Sequence, residues 1–429
     1  MKQEIKNRIK DINNGIVPSG YEKTEFGIFP CDWVVDKRLK DIGTFGKGKG
    51  LPGDKMTLKG VPCVGYGDIY MKYNNFHFEK AKSFVDEETA YESQLIQKGT
   101  LLFTGTGETA EEIGKCVCYN GDETIYAGGD IITFISNEVN PLFLAYQQYQ
   151  DFSLRNKASF GQGHSVVHIR QNNLEKLHVA YPKSADEQSK IAEILMKWDE
   201  AIELYNQQVE KLKQLKSIWL KKMFPQKGER VPEWRFKGFT DAWEQRKLGE
   251  VSESYSGGTP SVGVKEYYGG QIPFIRSAEI NSETTELFLT EDGLKNSSAR
   301  LVAVGDILYA LYGATSGEVG RARLKGAINQ AILAIKPHTD YDSEYLAQWL
   351  RKSKHSIIET YLQGGQGNLS GAIVKELSVD FPSLKEQKTI GDFFRQLDNL
   401  ITLHQCKVEK IKAQQKVLQK YLLNGIVRV

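Results

Sequence analysis

A long helical pattern occurs twice in this chain, at residues 187–223 and 386–422. The copies align without a gap at a constant offset of 199 residues (386 − 187). The aligned pairs are Glu187-Gln188 with Glu386-Gln387, Ile191 with Ile390, Trp198-Asp199 with Leu397-Asp398, Ile202 with Ile401, and Val209-Glu210-Lys211-Leu212 with Val408-Glu409-Lys410-Ile411. Because a fixed-period repeat is the mark of duplicated architecture, the chain is expected to fold as two similar halves.

Both copies place apolar residues at heptad spacing. With Ile191 as position a, an apolar stripe follows positions a, d and e, which is wider than the seam of a simple dimer. We predict that the other copy covers this stripe, although each helix could instead dock on its own domain. A helix of about 36 residues would be about 54 Å long. The predicted helix-pair interface comprises Ile191, Trp198, Ile202, Tyr205, Leu212, Trp219, Ile390, Leu397, Ile401, Ile411 and Leu418.

The segments outside the helices also form two similar halves. Apolar runs at residues 61–65, 100–104 and 131–135 alternate with glycine-rich turns, which is typical of strands, and a helical pattern follows at 141–146. Pro62-Cys63-Val64 corresponds to Pro273-Phe274-Ile275, and Tyr181-Pro182 corresponds to Phe381-Pro382. The offsets vary here, so loops differ in length between the halves whereas the helix length is held.

The predicted fold class is α+β. Two globular, β-rich domains with helices are separated by two long helices, packed as an antiparallel coiled-coil-like pair with pseudo-two-fold symmetry. The predicted segments are an N-terminal helix and linker (1–25), a first domain (26–184), a central helical spacer (185–228), a second domain (229–384) and a C-terminal helical spacer (385–429).

The two ends of the chain resemble each other. Asn14-Gly15-Ile16-Val17 is repeated as Asn424-Gly425-Ile426-Val427. Apolar residues at helical spacing before Gly15 predict a short amphipathic helix over residues 1–17. The four-residue match is compatible with chance, and equally with an N-terminal helix that completes the layout begun by the C-terminal one.

Charge and composition exclude several classes of protein. The formal net charge is only +2 over 429 residues, so any nucleic-acid-binding surface must be local. The first residues lack an apolar signal region and no run approaches the roughly 18 apolar residues of a membrane span, so a cytoplasmic location without membrane contact is expected. The cysteines form no CxxC pair, which favours free thiols over a zinc site.

Three motifs are similar to catalytic sites but lack the residues that the chemistry needs. Residues 101–107 resemble the glycine turn of an S-adenosylmethionine site, yet no Asn/Asp-Pro-Pro-Tyr/Phe motif accompanies them. Residues 45–50 contain three glycines without the Gly-Lys-Ser/Thr of a nucleotide-binding loop. His164 has no serine and aspartate arranged with it as a triad. We therefore predict no catalytic residue and no metal ligand.

Polar residues at the ends of predicted strands and in glycine loops favour a DNA-reading surface. Lysines on a glycine-rich loop contact phosphates independently of sequence, and backbone amides of such a loop can do the same. Arg, Asn and Gln can hydrogen-bond guanine or adenine bidentately. Each residue alone could be an ordinary surface or turn residue. The predicted DNA-binding set is Lys47, Lys49, Lys55, Tyr66, Thr104, Thr106, Gln162, His164, Arg276, Ser277, Tyr312, Thr315, Arg321, Arg323, Asn329, Gln330, Gln366 and Asn368.

A further set of motifs extends over almost the whole chain. The second half contains Trp243, Lys247-Leu248-Gly249-Glu250, Tyr255-Ser256-Gly257-Gly258-Thr259-Pro260-Ser261, Gly270-Gln271-Ile272-Pro273, Gly305-Asp306-Ile307-Leu308 and Phe381-Pro382 before Glu386-Gln387. The first half contains weaker versions at Trp33, Leu39, Gly60-Val61-Pro62, Lys98-Gly99-Thr100 and Tyr181-Pro182 before Glu187-Gln188. With the doubled junction from proline to Glu-Gln to heptads, the chain resembles the specificity subunits of type I restriction–modification systems.

The resemblance implies a division of labour. Each globular half would be a target recognition domain that reads one part of a split, asymmetric double-stranded DNA site. The helices would hold these domains apart and dock two methyltransferase subunits, which methylate adenine at N6, and restriction subunits would join that core. The chain itself would bind no cofactor, with S-adenosylmethionine, ATP and Mg²⁺ expected on the partners.

Two alternatives remain open at this point. The chain could be the recognition part of a fused modification enzyme, although it offers no room for a catalytic domain. It could also be a non-enzymatic coiled-coil scaffold that binds protein rather than DNA.

Overall fold

The computed structural model describes residues 3–73, 76–163, 166–226, 228–362 and 368–429. The chain divides into two compact units. Unit 1 comprises Met1–Tyr205 with Lys407–Val429, and unit 2 comprises Asn206–Cys406. Each unit therefore contains one globular domain and part of each long helix.

The first globular domain consists of short strands and short helices. In chain order its elements are α1 (Gln3–Asn13), β1 (Tyr21–Thr24), β2 (Gly27–Pro30), β3 (Trp33–Val34), α2 (Leu39–Ile42), β4 (Gly43–Lys47), β5 (Val61–Val64), α3 (Tyr66–Met71), β6 (His77–Phe78), β7 (Ser83–Val85), α4 (Glu87–Tyr91), β8 (Gln94–Ile96), β9 (Thr100–Thr104), β10 (Thr106–Gly107), β11 (Cys116–Tyr119), β12 (Ile125–Ala127), β13 (Ile131–Ser136), α5 (Pro141–Gln147), α6 (Asp151–Phe160), β14 (Val167–His168), α7 (Gln171–Leu174) and β15 (Tyr181–Pro182). The strands predicted at 61–65, 100–104 and 131–135 and the helix predicted at 141–146 are all present.

Two sheets form the body of this domain, with strand orders β4-β13-β9-β11-β6 and β7-β5-β12-β8. Strand β9 lies at the centre of the larger sheet between antiparallel neighbours β13 and β11. All five of its residues are buried, which explains why its sequence is a continuous run rather than an alternation of apolar and polar residues.

The second domain is enclosed by the two long helices in the sequence. Its elements follow α8 (Ala185–Lys222) and are β16 (Glu244–Lys247), α9 (Leu248–Val251), β17 (Ser252–Ser256), β18 (Tyr268–Ile275), β19 (Phe288–Leu289), α10 (Glu291–Lys295), β20 (Arg300–Val302), β21 (Ile307–Ala310), β22 (Val319–Arg321), β23 (Gly326–Ile328), β24 (Ile332–Pro337), α11 (Ser343–Leu362), α12 (Gly371–Lys375) and β25 (Ser378–Phe381), before α13 (Leu384–Leu423). Both long helices begin and end within two residues of the predicted positions.

The second domain repeats the topology of the first. Its sheets have the orders β17-β24-β21-β22 and β19-β18-β23-β20, which match β4-β13-β9-β11 and β7-β5-β12-β8. The parallel pair β18–β23 repeats the parallel pair β5–β12. The main departure is α11, a single 20-residue helix where the first domain has separate α5 and α6. The prediction of an α+β fold with two related domains and a long helix between them is confirmed.

In each unit the long helices complete the hydrophobic core of the globular domain. In unit 1, Ile191 and Leu195 of α8 and Leu422 of α13 are buried in one cluster with Trp33. In unit 2, Ile390 and Phe394 of α13 join Phe224, which follows α8, and Trp243. The helices therefore pack on their domains as well as on each other, and the two predicted arrangements occur together.

The most buried heptad series is position e rather than position a. Leu195, Ile202, Val209, Phe394, Ile401, Val408 and Leu422 are all buried, whereas burial in the predicted a series is confined to its first members, Ile191 and Ile390. The remaining predicted interface residues, Trp198, Tyr205, Leu212, Trp219, Leu397, Ile411 and Leu418, are half-buried. The globular domain packs against one side of each helix. Because that side includes position e, the most buried residues lie at position e rather than at position a.

Polar contacts fix an antiparallel register within each unit. In unit 1, Gln415 Nε2 donates to Asp199 Oδ1 at 2.5 Å. Lys407 Nζ lies 4.2 Å from the centre of the Tyr205 ring, so residue numbers fall along α13 as they rise along α8. In unit 2, Lys216 Nζ lies 2.6 Å from Asp398 Oδ1. Asp199 and Asp398 are equivalent at the offset of 199 (398 − 199), and so are Lys216 and Gln415 (415 − 216). The duplicated helices therefore make equivalent contacts twice, with the aspartate on α8 in unit 1 and on α13 in unit 2.

The repeated glutamine at each junction connects a domain to its helix. Gln188 Nε2 donates to Pro182 O at 2.8 Å, and its Oε1 accepts from the backbone N–H of Asn140 at 2.8 Å. Gln387 does the same with Pro382 O and the N–H of Asp342, again at 2.8 Å. Both amides are buried, so these hydrogen bonds satisfy groups that water cannot reach.

The repeated glutamate beside it binds an arginine that follows the other helix. Glu187 and Arg428 form a bidentate pair at 2.5 and 2.8 Å in unit 1, and Glu386 and Arg235 do so at 2.8 and 2.6 Å in unit 2. Buried carboxylates require such partners, because an unpaired charge in the interior is costly.

The matching four-residue segments at the chain ends are both helix terminations. Gly15 and Gly425 have φ values of 74° and 64°, the left-handed conformation that glycine adopts after a helix. The two ends also meet, since Arg8 donates to Ile426 O at 2.9 Å and Tyr21 donates to Gly425 O at 2.7 Å.

Candidate nucleic-acid interface

A polar cleft of about 530 Å³ in the first domain brings together three predicted DNA-binding residues. Lys47 ends β4, Thr106 begins β10 and Gln162 follows α6. The cleft is lined by Lys47, Gly105, Thr106, Gly129, Asp130, Ile132, Gln162, His168, Ile169, Arg170, Gln171 and Asn173. It combines two cations and one carboxylate, Asp130, with amide and hydroxyl groups, and the cations, amides and hydroxyl are of the types that contact phosphates and base edges.

Pairing between strands distant in sequence creates this cleft. Strand β10 pairs with β14, which sets Thr106 opposite His168 at 3.3 Å between Oγ1 and Nδ1. Gln162 and His168 exchange two backbone hydrogen bonds at 3.0 and 2.9 Å. Lys47 and Arg170 are exposed, and within the described residues neither has a carboxylate oxygen within 4.0 Å. Both cations are therefore available to an anionic ligand.

The sequence prediction omitted His168, Arg170 and Asn173 from this cleft. The sequence gives little indication that these residues belong to a site, because each joins the cleft only through the pairing of β14 with a strand about 60 residues earlier. Comparison of the two halves could have indicated them. Ile169 N–H donates to Gly105 O in the first domain, and Leu369 N–H donates to Leu311 O in the second domain. The residues that follow these donors occupy equivalent positions.

Two backbone amides of the glycine-rich loop after β4 are engaged within the domain, which limits the phosphate contacts that the loop backbone can make. Gly48 N–H donates to Ile131 O at 2.7 Å, and Lys49 N–H donates to Ala127 O at 3.2 Å, so these amides are already occupied. Gly48 is required by packing, since a Cβ there would lie 1.7 Å from Gly128 O. The side chains of Lys49 and Lys55 are exposed and remain able to contact phosphates.

Thr104 is misplaced in the predicted set. Its side chain is fully buried and its hydroxyl shares a 2.8 Å hydrogen bond with Tyr70 Oη. Direct contact with DNA is therefore blocked, and Thr104 instead positions Tyr70. Tyr66 is exposed and lines a neighbouring cleft that shares Thr106 with the polar cleft.

In the second domain the candidate residues form a smaller, more apolar cleft of about 420 Å³. It is lined by Thr259, Val262, Tyr268, Phe274, Arg276, Leu287 and Asn329. Thr259 Oγ1 donates to Gln330 Oε1 at 2.7 Å, which adds Gln330 to its rim. Asn329 Oδ1 accepts from the N–H of Ala331, which leaves the amide NH₂ of Asn329 to face a ligand. The sequence prediction omitted Thr259 and Tyr268.

The predicted arginines of the second domain are engaged by side chains of the same domain. Arg276 binds Glu279 and Glu286 with contacts of 2.6–3.1 Å, and this pairing holds the pKa of Glu279 at about 2 against the effect of burial, which raises it. Arg323 lies 3.0 Å from Glu283. Arg321 is half-buried and donates to Ser343 at the start of α11, so it supports that helix rather than the cleft.

The other predicted residues of this domain that the structure describes do not line the cleft. Tyr312 is half-buried, Thr315 Oγ1 donates to Tyr312 O at 3.3 Å, and Ser277 is half-buried beside Arg276. Asn368 is exposed next to the Leu369–Leu311 hydrogen bond. His164 and Gln366 lie outside the described residues.

Two features bear on other classes of site. Within the described residues, His, Cys, Asp and Glu side chains form no group of three or more that could hold a metal ion. In the same part of the chain, no helix combines the length and apolar character needed to cross a membrane.

Comparison with known proteins identifies the family. The family model for the type I restriction modification DNA specificity domain matches twice, at residues 30–214 and 240–413. The MjaX type I restriction enzyme specificity subunit of Methanocaldococcus jannaschii is 26% identical over 431 residues, covering 95% of this chain and 97% of the relative. The EcoR124I/EcoR124II specificity subunit of Escherichia coli is 23% identical over 189 residues, covering 42% of this chain and 46% of the relative.

Solved structures share the fold. The S subunit of a type I restriction–modification system from M. genitalium superposes with a TM-score of 0.63 at 16% identity, covering 91% of this chain and 96% of that one. A chain from a study of type I complex assembly gives 0.54 at 16% identity, with 96% and 99% covered. Since the family model matches both halves, this chain belongs to the family of type I restriction modification DNA specificity domain proteins.

Proposed function

We propose that this chain is the DNA-targeting subunit of a type I restriction–modification complex and that each globular domain reads one half of a bipartite, asymmetric site. The observation that carries the proposal is a domain built twice with one topology but with different polar side chains at equivalent edges. Two different readers on one polypeptide need no palindrome, unlike a symmetric dimer.

The two clefts divide into positioning and reading groups. In the first domain, Lys47, Lys49 and Arg170 are exposed cations that suit phosphates or guanine edges. In the second domain, Asn329 and Gln330 are amides that suit adenine, beside the apolar side chains of the cleft. Because the two clefts present different polar groups, the two domains would recognise different DNA sequences in the two half-sites.

The surface of the long helices supports docking of two copies of one partner. Leu204 and Val417 are exposed in unit 1, and Leu403 and Ile218 are exposed in unit 2. These residues are equivalent in pairs at the offset of 199 (403 − 204 and 417 − 218). Exposed apolar residues repeated in this way fit two methyltransferase subunits, and restriction subunits would join that assembly.

Catalysis is assigned to those partners rather than to this chain. Under the proposal the methyltransferase subunits hold S-adenosylmethionine and the restriction subunits hold ATP and Mg²⁺. This chain contributes the choice of sequence and the separation between half-sites.

Methylome sequencing of a host with and without the gene for this chain tests the proposal. The expected result is loss of one split motif that carries methyladenine in both half-sites, with restoration by the wild-type gene. An unchanged methylome in a host where the methyltransferase is expressed and active would contradict it. A coiled-coil scaffold that binds only protein would also leave every motif in place.

A further inference from the structure

A basic groove in unit 2 lies among the C-terminal part of α8, helix α11 and helix α13. Its volume is about 380 Å³, and it is lined by Lys213, Lys216, Ser217, Leu220, Lys221, Arg351, Lys352, Asp398 and Ile401. Five of these side chains are cationic and one is anionic. The net charge of the whole chain is only +2, so this is a marked local excess of positive charge.

The single carboxylate in the groove is already occupied. Asp398 receives Lys216 at 2.6 Å and Gln348 at 2.9 Å. Arg351 Nη1 is buried and makes no hydrogen bond in the described structure, because the nearest carboxylate oxygens, on Glu344 and Asp398, lie 3.5 and 3.6 Å away. The Arg351 guanidinium is ion-paired with both carboxylates and donates from Nε to Val319 O at 3.4 Å, so only its Nη1 is left without a hydrogen bond in the described structure.

Two further cations face the same groove, and no carboxylate oxygen of the described residues lies within 4.0 Å of the Nζ of either. Lys352 Nζ donates to Pro225 O at 3.0 Å, and burial lowers the pKa of Lys352 against the attraction of Asp380, which raises it. Lys221 is exposed, and no carboxylate oxygen lies within 4.0 Å of its Nζ. Lys221 and Lys352 are therefore the cations of this groove with which an incoming anion could pair.

The duplicated position in unit 1 has lost this charge. The outer lysines are kept: Lys412 and Lys420 correspond to Lys213 and Lys221 (offset 199), and the Lys412–Glu409 pair repeats Lys213–Glu210. The centre is different. Gln415 replaces Lys216, and Tyr149 and Gln150 replace Arg351 and Lys352, at the offset of 202 that relates Asn140 to Asp342.

We propose that the groove in unit 2 binds a carboxylate-rich segment of a methyltransferase partner, so that the two docking positions on this chain are unequal. The inference rests on the proposed function. A protein ligand is favoured over DNA because two walls of the groove belong to α8 and α13, which carry the exposed apolar residues Leu215, Ile218, Leu400 and Leu403 in this unit. The candidate base-reading residues Thr259, Asn329 and Gln330 line a different cleft.

The test uses the full chain purified in complex with its methyltransferase. Native mass spectrometry over a series of salt concentrations measures how many methyltransferase copies remain bound. The wild-type complex is expected to lose its copies in two steps, since only one copy gains the charged contact. Lys221→Gln with Lys352→Gln should weaken the tighter copy by about three- to tenfold and merge the two steps.

A matched control removes the same charge from the other copy. Lys412→Gln with Lys420→Gln should leave two steps. Lys221→Glu alone, at an exposed position, should reproduce part of the effect if the double variant folds poorly. A single step in the wild-type complex, or two steps retained in the groove variants, would overturn the inference.

A gel shift with cognate DNA distinguishes a protein ligand from the DNA backbone as the occupant of the groove. If the groove variants weakened DNA binding and left assembly unchanged, the groove would be a phosphate site and the proposal would be wrong. Failure of the proposed function gives a different result, because no methyltransferase would then bind the wild-type chain even at low salt.

Discussion

Lys157 is a cation buried in the core of the first domain. Its Nζ donates to Gly114 O at 3.0 Å and lies 5.3 Å from the centre of the Tyr149 ring. Burial lowers its pKa from 10.5 to about 8. The unfolded chain therefore binds more protons than the folded chain between pH 8 and 10.5, so this group favours unfolding at neutral pH and ceases to do so as the pH rises through that window.

We expect Lys157→Met to stabilise the first domain by about 1–2 kcal/mol near pH 7, since the pKa shift corresponds to roughly 3 kcal/mol and the lost hydrogen bond offsets about 1 kcal/mol. The gain should shrink toward pH 10. Urea unfolding at both pH values measures it, with the exposed Lys98→Met as control. A gain that does not depend on pH would show that packing, and not charge, was responsible.

Lys47 tests the phosphate contacts of the first cleft. Lys47→Gln is expected to weaken binding of the assembled complex to all DNA sequences alike, because phosphate contacts carry no base information. The slope of log Kd against log salt should fall by about 0.9. Lys98→Gln, at a lysine paired with Asp122, is the control. A changed sequence preference with an unchanged salt slope would assign Lys47 to base reading instead.

Single residues were the least predictable part of the site. Lysine, arginine and amide types at strand ends indicated a reading surface, but not which of them are free. Arg276, Arg321 and Arg323 are engaged by Glu279, Ser343 and Glu283, and the last two partners are 22 and 40 residues away in sequence. The hydroxyl of Thr104 is likewise engaged by Tyr70, 34 residues earlier.

The two long helices carry a sequence pattern of the same length in both halves of the chain, whereas the loops of the globular domains differ in length. If they set the spacing between half-sites, inserting four residues after Lys213 should alter the spacer or abolish assembly without changing either half-site. The insertion adds about 6 Å of helix and shifts the seam out of register. Methylome sequencing reads the spacer directly. An unchanged spacer in an assembled complex would rule out the helices as the ruler.

A compensated insertion sharpens this test. The Lys216–Asp398 contact places residue 401 opposite residue 213, since both pairs of numbers sum to 614. Seven residues inserted after both Lys213 and Ile401 keep the heptad and the register of the pair. The spacer is then expected to lengthen by roughly three base pairs, at about 3.4 Å per pair. Four residues inserted into the exposed segment after Glu229 should leave it unchanged.

The helices were predictable because their signal is local and periodic, so their ends were placed within two residues. The strands β5, β9 and β13 were predictable for the same reason, as short apolar runs between turns. Which heptad positions of the long helices are buried was not predictable, because it depends on which side of each helix the globular domain covers. Strand pairing across 60 residues, such as β10 with β14, leaves no periodic trace.

At the scale of the whole molecule, duplication separates what is constant from what varies. The Gln188 and Gln387 junctions recur with the same partner types, whereas the equivalent residues Asp199 and Asp398 bind Gln415 and Lys216, respectively. The clefts differ in charge and in lining. A chain of this kind can change one DNA-recognition domain without changing the two long helices that connect both domains.

Domain exchange followed by methylome sequencing tests this central claim most directly. Residues 233–384 would be replaced by the corresponding recognition domain of another family member, with both long helices kept. We predict that one half of the methylated motif changes while the other half and the spacer length stay the same. A change in both halves, in a complex that still methylates DNA, would contradict the account of two independent readers on one frame.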